Sequence, residues 1–254
     1  MANYYFLITA LPPLAIGKKP EISFSEMREM LDLNLTAADR KKIKTFLRPI
    51  DLYNIRALWM GFPLDERGNY TSKGLEEALL VRDWLPSYLA EYLDRYESTA
   101  DRLRFFSSLY ASLFREENLD GFLLKYYRFE REIRLVLTAL RSKKTGRDLT
   151  RELQFEDPYD SFVADILSQK DAAEYTPPKE YEDLKTVFME NSGSPEKLNR
   201  AILKYRFEKI EEMEENQDFT IDRVLNYLAR LFIVESLEAL DPEKGMDAVE
   251  RLSQ

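Results

Sequence analysis

Apolar residues that recur at steps of three and four constrain the fold of this chain more than any other feature. The longest such stripe runs through residues 119–143 and is followed by Gly146, a residue type that commonly ends helices. Its members are Leu119, Phe122, Tyr126, Glu130, Ile133, Leu137 and Leu140. A second run, 221–240, is apolar around much of its circumference, which predicts a deeply packed helix. The spacing therefore predicts an all-α, multi-helix protein.

Helix start signals divide the rest of the chain. Ser23 with Glu26, and Thr36 with Asp39, fit the capping box. Three dipeptides place a capping side chain before a proline at the first helical position: Asp157-Pro158, Ser194-Pro195 and Asp241-Pro242. The predicted helices are 24–33, 37–60 (kinked or split at Pro49), 74–84, 86–97, 99–117, 119–143, 158–169, 178–190, 195–215, 219–240 and 242–252. Residues 3–10 suit a helix and an extended segment equally.

Composition excludes most catalytic machinery. The chain has 254 residues but no histidine, no cysteine and only 8 glycines, where about 18 glycines would be typical. This excludes Ser-His-Asp catalysis, His-ligated metals, iron–sulfur clusters and disulfides, and no glycine-rich phosphate loop occurs. We expect no catalytic residue, no cofactor and no metal. The formal net charge of −9 argues against a nucleic-acid partner.

Two charged clusters have a functional and a structural interpretation. The acidic cluster is a metal site or a solvated helix face, and the lack of a glycine-containing calcium loop favours the face. Its members are Glu208, Glu211, Glu212, Glu214 and Glu215. The basic-aromatic segment 125–134 is a single-stranded nucleic-acid site or a core stripe beside a salt-bridged surface. The helical spacing of its aromatic and basic residues favours the second. We expect Trp59 and Trp84 in the core, and Lys143 and Lys144 as helix C-terminal cations.

The organisation of the chain is that of one helical domain spanning 1–254. Two stretches that contain proline, 62–73 and 169–179, suggest boundaries between lobes. The lobes would be 1–70, 71–175 and 176–254. The early apolar stretch, Tyr4–Ile16, is broken by two prolines and is shorter than the roughly 20 residues of a membrane span. It also lacks a basic region before it, as a signal peptide requires. We therefore expect a cytoplasmic protein.

A helix motif resembles the C (d-like) subunit of V-type and A-type ATPases. The segment Asp51–Leu58 resembles that family's Asp-x-x-Asn-Leu-x-x-Leu helix through Asp51, Asn54, Ile55 and Leu58. The opening of the chain is similar to a shorter bacterial family that is related to this ATPase component and is encoded with V-type ATPase genes.

Later segments extend the resemblance. Residues 130–137, followed by the basic loop 141–146, look like a second copy of the motif with Glu132 in place of the asparagine and with Arg134. Residues 224–237 resemble the family's late helix. A short internal echo, 124–130 against 203–208, also suggests a duplicated helical unit.

The resemblance implies a funnel of quasi-repeated helical units and a non-catalytic central-stalk subunit. A protein of this kind couples the rotor shaft to the membrane proteolipid ring, so its partners would be the shaft subunits and the ring. It would lie in the cytoplasm, peripheral to the inner membrane, without inserting into it. Two alternatives stay open. One is a helical adaptor or regulatory protein with no ATPase link, and the other is an enzyme that uses carboxylates, tyrosine or lysine.

Overall fold

A computed structural model describes residues 3–82, 85–115, 119–214 and 219–240. Within these ranges the protein is all-α, with thirteen α-helices, a short 3-10 helix at Lys179–Tyr181 and no strand. The helices are α1 (Tyr5–Thr9), α2 (Phe24–Asn34), α3 (Ala37–Met60), α4 (Ser72–Val81), α5 (Ser87–Arg95), α6 (Thr99–Arg104), α7 (Ser107–Leu113), α8 (Gly121–Thr145), α9 (Leu149–Glu152), α10 (Ser161–Ser168), α11 (Glu182–Asn191), α12 (Pro195–Glu212) and α13 (Ile221–Ala239).

The capping chemistry explains most boundaries. Ser23 and Glu26 form the complete capping box at the start of α2, and Ser194 caps α12 with proline at its first position. Gly146 adopts a left-handed conformation, with φ of 67°, at the end of α8. These predictions are confirmed.

Two local predictions were wrong, one open alternative is decided, and several predictions fall outside the described ranges. The helix predicted from Asp157-Pro158 begins only at α10, because Asp160 rather than Asp157 accepts from the orphan N–H groups. The helix predicted over 99–117 is interrupted by a turn at 105–106 that separates α6 from α7. Residues 3–10 contain the helix α1. The predicted helix 242–252, its cap Asp241-Pro242, Trp84 and Glu215 lie outside the described residues.

The core is centred on α8 and α13, which pack against each other, while α12 packs between α11 and α13. On α13, side chains on several faces are fully buried, including Val224, Leu225, Leu228 and Leu231. This confirms the deep packing predicted from its apolar circumference. No helix in the described ranges is both long enough and apolar enough to cross a membrane.

Helix α3 runs unbroken through Pro49, so the predicted split did not occur. Proline has no N–H, which leaves the carbonyl of Thr45, four residues earlier, without its helical donor. The hydroxyl of Tyr127 on α8 donates to that oxygen at 2.6 Å, and Tyr127 is buried. A tertiary hydrogen bond thus satisfies the carbonyl that proline frees.

We expect Tyr127→Phe to lower the free energy of unfolding by about 1–3 kcal/mol, because it leaves a buried carbonyl unpaired. In a Pro49→Ala background the new N–H of residue 49 supplies the missing donor, so the same substitution should cost about 1 kcal/mol less. Urea unfolding of the four proteins of this cycle measures the difference. An equal cost in both backgrounds would contradict the pairing.

Candidate functional site

The loop 61–71, between α3 and α4, is fastened by buried side chains of α3. Asn54 is 1% exposed. Its Nδ2 donates to the Asp65 carbonyl at 2.8 Å, and its Oδ1 accepts from the Asp65 N–H at 2.7 Å. The side-chain amide therefore forms two hydrogen bonds with the backbone of one loop residue. These bonds fix the position of the loop relative to α3.

A second contact, made by a carboxylate of α3, holds the far end of the loop. Asp51 accepts from the backbone N–H of Asn69 at 2.7 Å and from its Nδ2 at 2.6 Å. Between the two anchors, Gly68 passes so close to α3 that a Cβ there would lie 2.7 Å from Asn54 Nδ2 and 3.0 Å from Asp51 Oδ1. Only glycine fits this approach without displacing the anchors.

Two other helices also hold the loop. From α2, Arg28 donates to the Gly68 carbonyl at 2.6 Å. From the loop, Arg67 pairs with Asp65 at 2.6 Å and reaches Glu235 of α13 at 3.3 Å. Its guanidinium lies 5.0 Å from the ring centre of Phe232. Loop 61–71 is therefore the point where α2, α3 and α13 are tied together.

Burial controls the titration of Asp51. Removal from solvent raises its pKa to about 6, and the hydrogen bonds from Asn69 act in the opposite direction. At Asp65, burial also raises the pKa, but the hydrogen bonds and charge of Arg67 hold it below its ordinary value. The pKa of Asp51 on α3 is thus raised, whereas that of Asp65 in the loop is lowered.

The raised pKa of Asp51 gives a pH prediction. The folded protein binds this proton more tightly than the unfolded chain, so ionised Asp51 costs stability at neutral pH. That cost disappears as pH falls through 6 towards 4. Relative to Asp51→Asn, the wild type should gain about 2 kcal/mol in free energy of unfolding between pH 7 and pH 4.5. Urea titrations across this range measure it, and a pH-independent difference between the two proteins would contradict the assignment.

A groove runs beside the loop. It has a volume of about 740 Å³ and lies between the loop, α12 and the end of α13. We call it the loop groove; its lining includes Tyr53, Pro63, Leu64, Arg67, Leu203 and Leu240. Large apolar side chains are exposed along the same part of the chain: Tyr53 is 53% exposed, Met60 42% and Phe62 56%. Helix α3 and the loop that follows it therefore present one aromatic side chain each, Tyr53 and Phe62, to solvent next to a concave surface.

The remaining residues of the predicted family motif pack in the core or form hydrogen bonds and ion pairs within the chain. Ile55 is in the core, and Leu58 is partly buried against it. On α8, Glu132 accepts from the Tyr181 hydroxyl at 2.6 Å and from Arg128 at 2.8 Å, while Arg134 pairs with the buried Glu156. The structure brings Asp51 and Asn54 together at the loop, whereas Glu132 and Arg134 serve other contacts.

Described members of both charged clusters form ion pairs within the chain. Glu211 and Glu214 pair with Arg230, and no group of three or more metal-ligating side chains occurs among the described residues. In the basic-aromatic segment, the arginines pair with carboxylates. Lys143 and Lys144 lie in the last turn of α8, as predicted, and donate to carbonyls of residues 170, 172 and 192. Trp59 is partly buried against the core, as predicted.

Comparison with known proteins places the chain in a family. The model described as "Protein of unknown function (DUF2764)" matches residues 1–254, so the chain belongs to this family. A Chlamydia muridarum protein is 29% identical over 98% of this chain and 97% of its own length. Chlamydia trachomatis and Chlamydia pneumoniae proteins are 27% and 29% identical, covering 98% and 100% of this chain and 97% and 98% of their own lengths. All three are named "Uncharacterized protein". No solved structure matches significantly.

The family match corrects the sequence-based recognition. The chain matches DUF2764 over its whole length, and neither that family nor its chlamydial relatives carry the name of a V-type ATPase component. The assignment to the family of the C (d-like) ATPase subunit was wrong. The reason is physical: an aspartate and an asparagine one turn apart fasten a following loop by ordinary hydrogen bonds, and this arrangement is not specific to one family.

Proposed function

We propose that the protein is a non-catalytic helical subunit that acts by binding other proteins through the loop groove. One observation carries the proposal: a surface loop is fixed by two buried polar side chains of α3 and by partly buried charged side chains of α2 and α13, yet it leaves Phe62 exposed beside a concave, partly apolar surface. Burying Asp51 and Asn54 is costly unless each polar atom is paired. Paired burial of two polar side chains beneath a loop suits a surface whose shape must stay constant.

The composition of the surface also suits a protein partner. Tyr53 and Phe62 are aromatic residues of the kind enriched at the centre of protein interfaces. Arg67, Asp65 and Glu235 provide a charged margin that is already paired within the chain. A partner would therefore bury aromatic side chains without leaving an unpaired charge behind.

The assembly we propose to test first is a V-type or A-type rotary ATPase. There the protein would join the rotor shaft to the membrane proteolipid ring, in the cytoplasm and peripheral to the inner membrane. One feature supports this choice without family membership. Long, close-packed helices such as α8, α12 and α13 transmit force well. The alternative is an adaptor with no ATPase link.

Affinity purification of the tagged chain from its native cells, after mild cross-linking, distinguishes these functions. We expect shaft or ring subunits to copurify with wild type and to be lost with Tyr53→Ser/Phe62→Ser. A reproducible, different partner that is lost with the same variant would support the adaptor. Recovery of no protein whose capture depends on these two residues would contradict a binding function for the loop groove.

A further inference from the structure

A second cavity borders the later part of loop 61–71. Its volume is about 400 Å³, and it is enclosed by α3, by Leu75 of α4 and by the chain from Leu85 to Leu89. The loop contributes Asn69 and Tyr70 to its wall. Leu52, Ile55, Leu75, Leu85 and Leu89 line part of it, so the cavity offers an apolar site for a large side chain.

Basic side chains border this cavity. Lys41, Lys44 and Arg48 all line it and occupy one face of α3, at steps of three and four. From Lys41 to Arg48 the helix rises about 10 Å. Both lysines are exposed, and neither forms an ion pair within the part of the chain that the structure describes. In a chain with a net charge of −9, this row concentrates positive charge beside an apolar opening.

We propose that this cavity binds an acidic segment of a partner protein. One large apolar side chain of the segment enters the cavity, and carboxylates on either side of it pair with Lys41 and Lys44. The length of the row favours a segment over a small carboxylate, which would need only one cation. The inference rests on the proposed function only in taking the partner to be a protein.

The position of Asp51 gives the docked segment a direction. Its carboxylate also lines the cavity and accepts both hydrogen bonds from Asn69. Acidic groups of the partner would be repelled at this end and attracted at the Lys41 end. Electrostatic complementarity of this kind selects the partner and its orientation more than it raises affinity.

Selection from a random peptide library displayed on phage tests the proposal with the full-length protein. Wild type should enrich peptides that combine several Asp or Glu residues with one large apolar residue. A Lys41→Glu/Lys44→Glu variant should bind a selected synthetic peptide about tenfold more weakly or worse. The matched control is Lys197→Glu/Lys204→Glu, which reverses two exposed lysines seven residues apart on α12 and should bind as wild type does.

Several outcomes would overturn the proposal. They are the absence of any enriched peptide, a neutral or basic consensus, equal weakening by both double variants, or displacement of the peptide by a single-stranded oligonucleotide at lower concentration. Including Phe62→Ser separates this inference from the function proposed for the loop groove. An acidic consensus retained by Phe62→Ser supports the cavity whatever happens at the groove, and loss of the consensus in that variant contradicts an independent site.

Discussion

Replacing Asn54 by aspartate should destabilise the protein by about 3 kcal/mol at pH 7. The new carboxylate would face the Asp65 carbonyl that the amide now donates to, and it would lie near Asp51 in a site that is 1% exposed. Protonation restores a donor, so most of the loss should be recovered at acidic pH. Urea unfolding of the variant and wild type at pH 7 and pH 4.5 measures both effects.

The matched control for this substitution is Asn199→Asp, an exposed asparagine on α12. We expect its effect to stay within about 0.5 kcal/mol at both pH values, as is usual for surface positions. Equal effects of the two variants would show that Asn54 does not hold the loop. A loss at Asn54 that does not depend on pH would contradict the proposed repulsion.

Replacing Glu156 by alanine should cost about 3 kcal/mol, because removing one partner of a largely buried ion pair leaves the Arg134 charge unpaired and weakens the pairing of Arg131. The side chain of Glu156 is 3% exposed and pairs with Arg134, and it lies 3.5 Å from Arg131. The side chain of Arg131 is itself only 13% exposed, although Asp160 remains as a second partner at 3.2 Å. Thermal and urea unfolding measure the loss.

Glu152 supplies the control for that variant. It lies four residues earlier and pairs with Arg147 at 3.6 Å, with both side chains exposed to 36% or more. Exposed pairs of this kind contribute about 0–1 kcal/mol, so Glu152→Ala should be nearly neutral. If Glu156→Ala were equally mild, the four-residue ion-pair network would not stabilise the fold.

The helices were largely predictable because their signals are local. Stripes of apolar residues and capping groups act within a few turns, and they predicted α2, α3, α8, α12 and α13 to within a few residues. Prediction of a break in α3 failed because a residue that is distant in sequence determines whether the helix continues. The unbroken course of α3 at Pro49 depends on Tyr127, which is far along the sequence, and no local pattern marks that pairing.

The candidate site was only partly predictable for the same reason. Asp51 and Asn54 attracted notice through a motif whose family assignment was wrong, and their positions in the structure show that their importance is structural. Arg67 and Glu235 meet across 168 positions of sequence, and neither has a local signature. The loop's Gly68-Asn69 turn was visible in the sequence, but its attachment to α2 and α13 was not.

The central claim is that the loop groove is a protein-binding surface, and one measurement tests it most directly. Quantitative affinity purification compares wild type, Tyr53→Ser/Phe62→Ser, and the control Leu33→Ser/Leu80→Ser, whose leucines are 85% and 82% exposed outside the groove. We expect the groove variant to stay folded, with an unchanged urea midpoint, but to lose at least about nine-tenths of the partner that wild type and control retain. Equal retention by all three proteins, or equal loss in both variants, would contradict it.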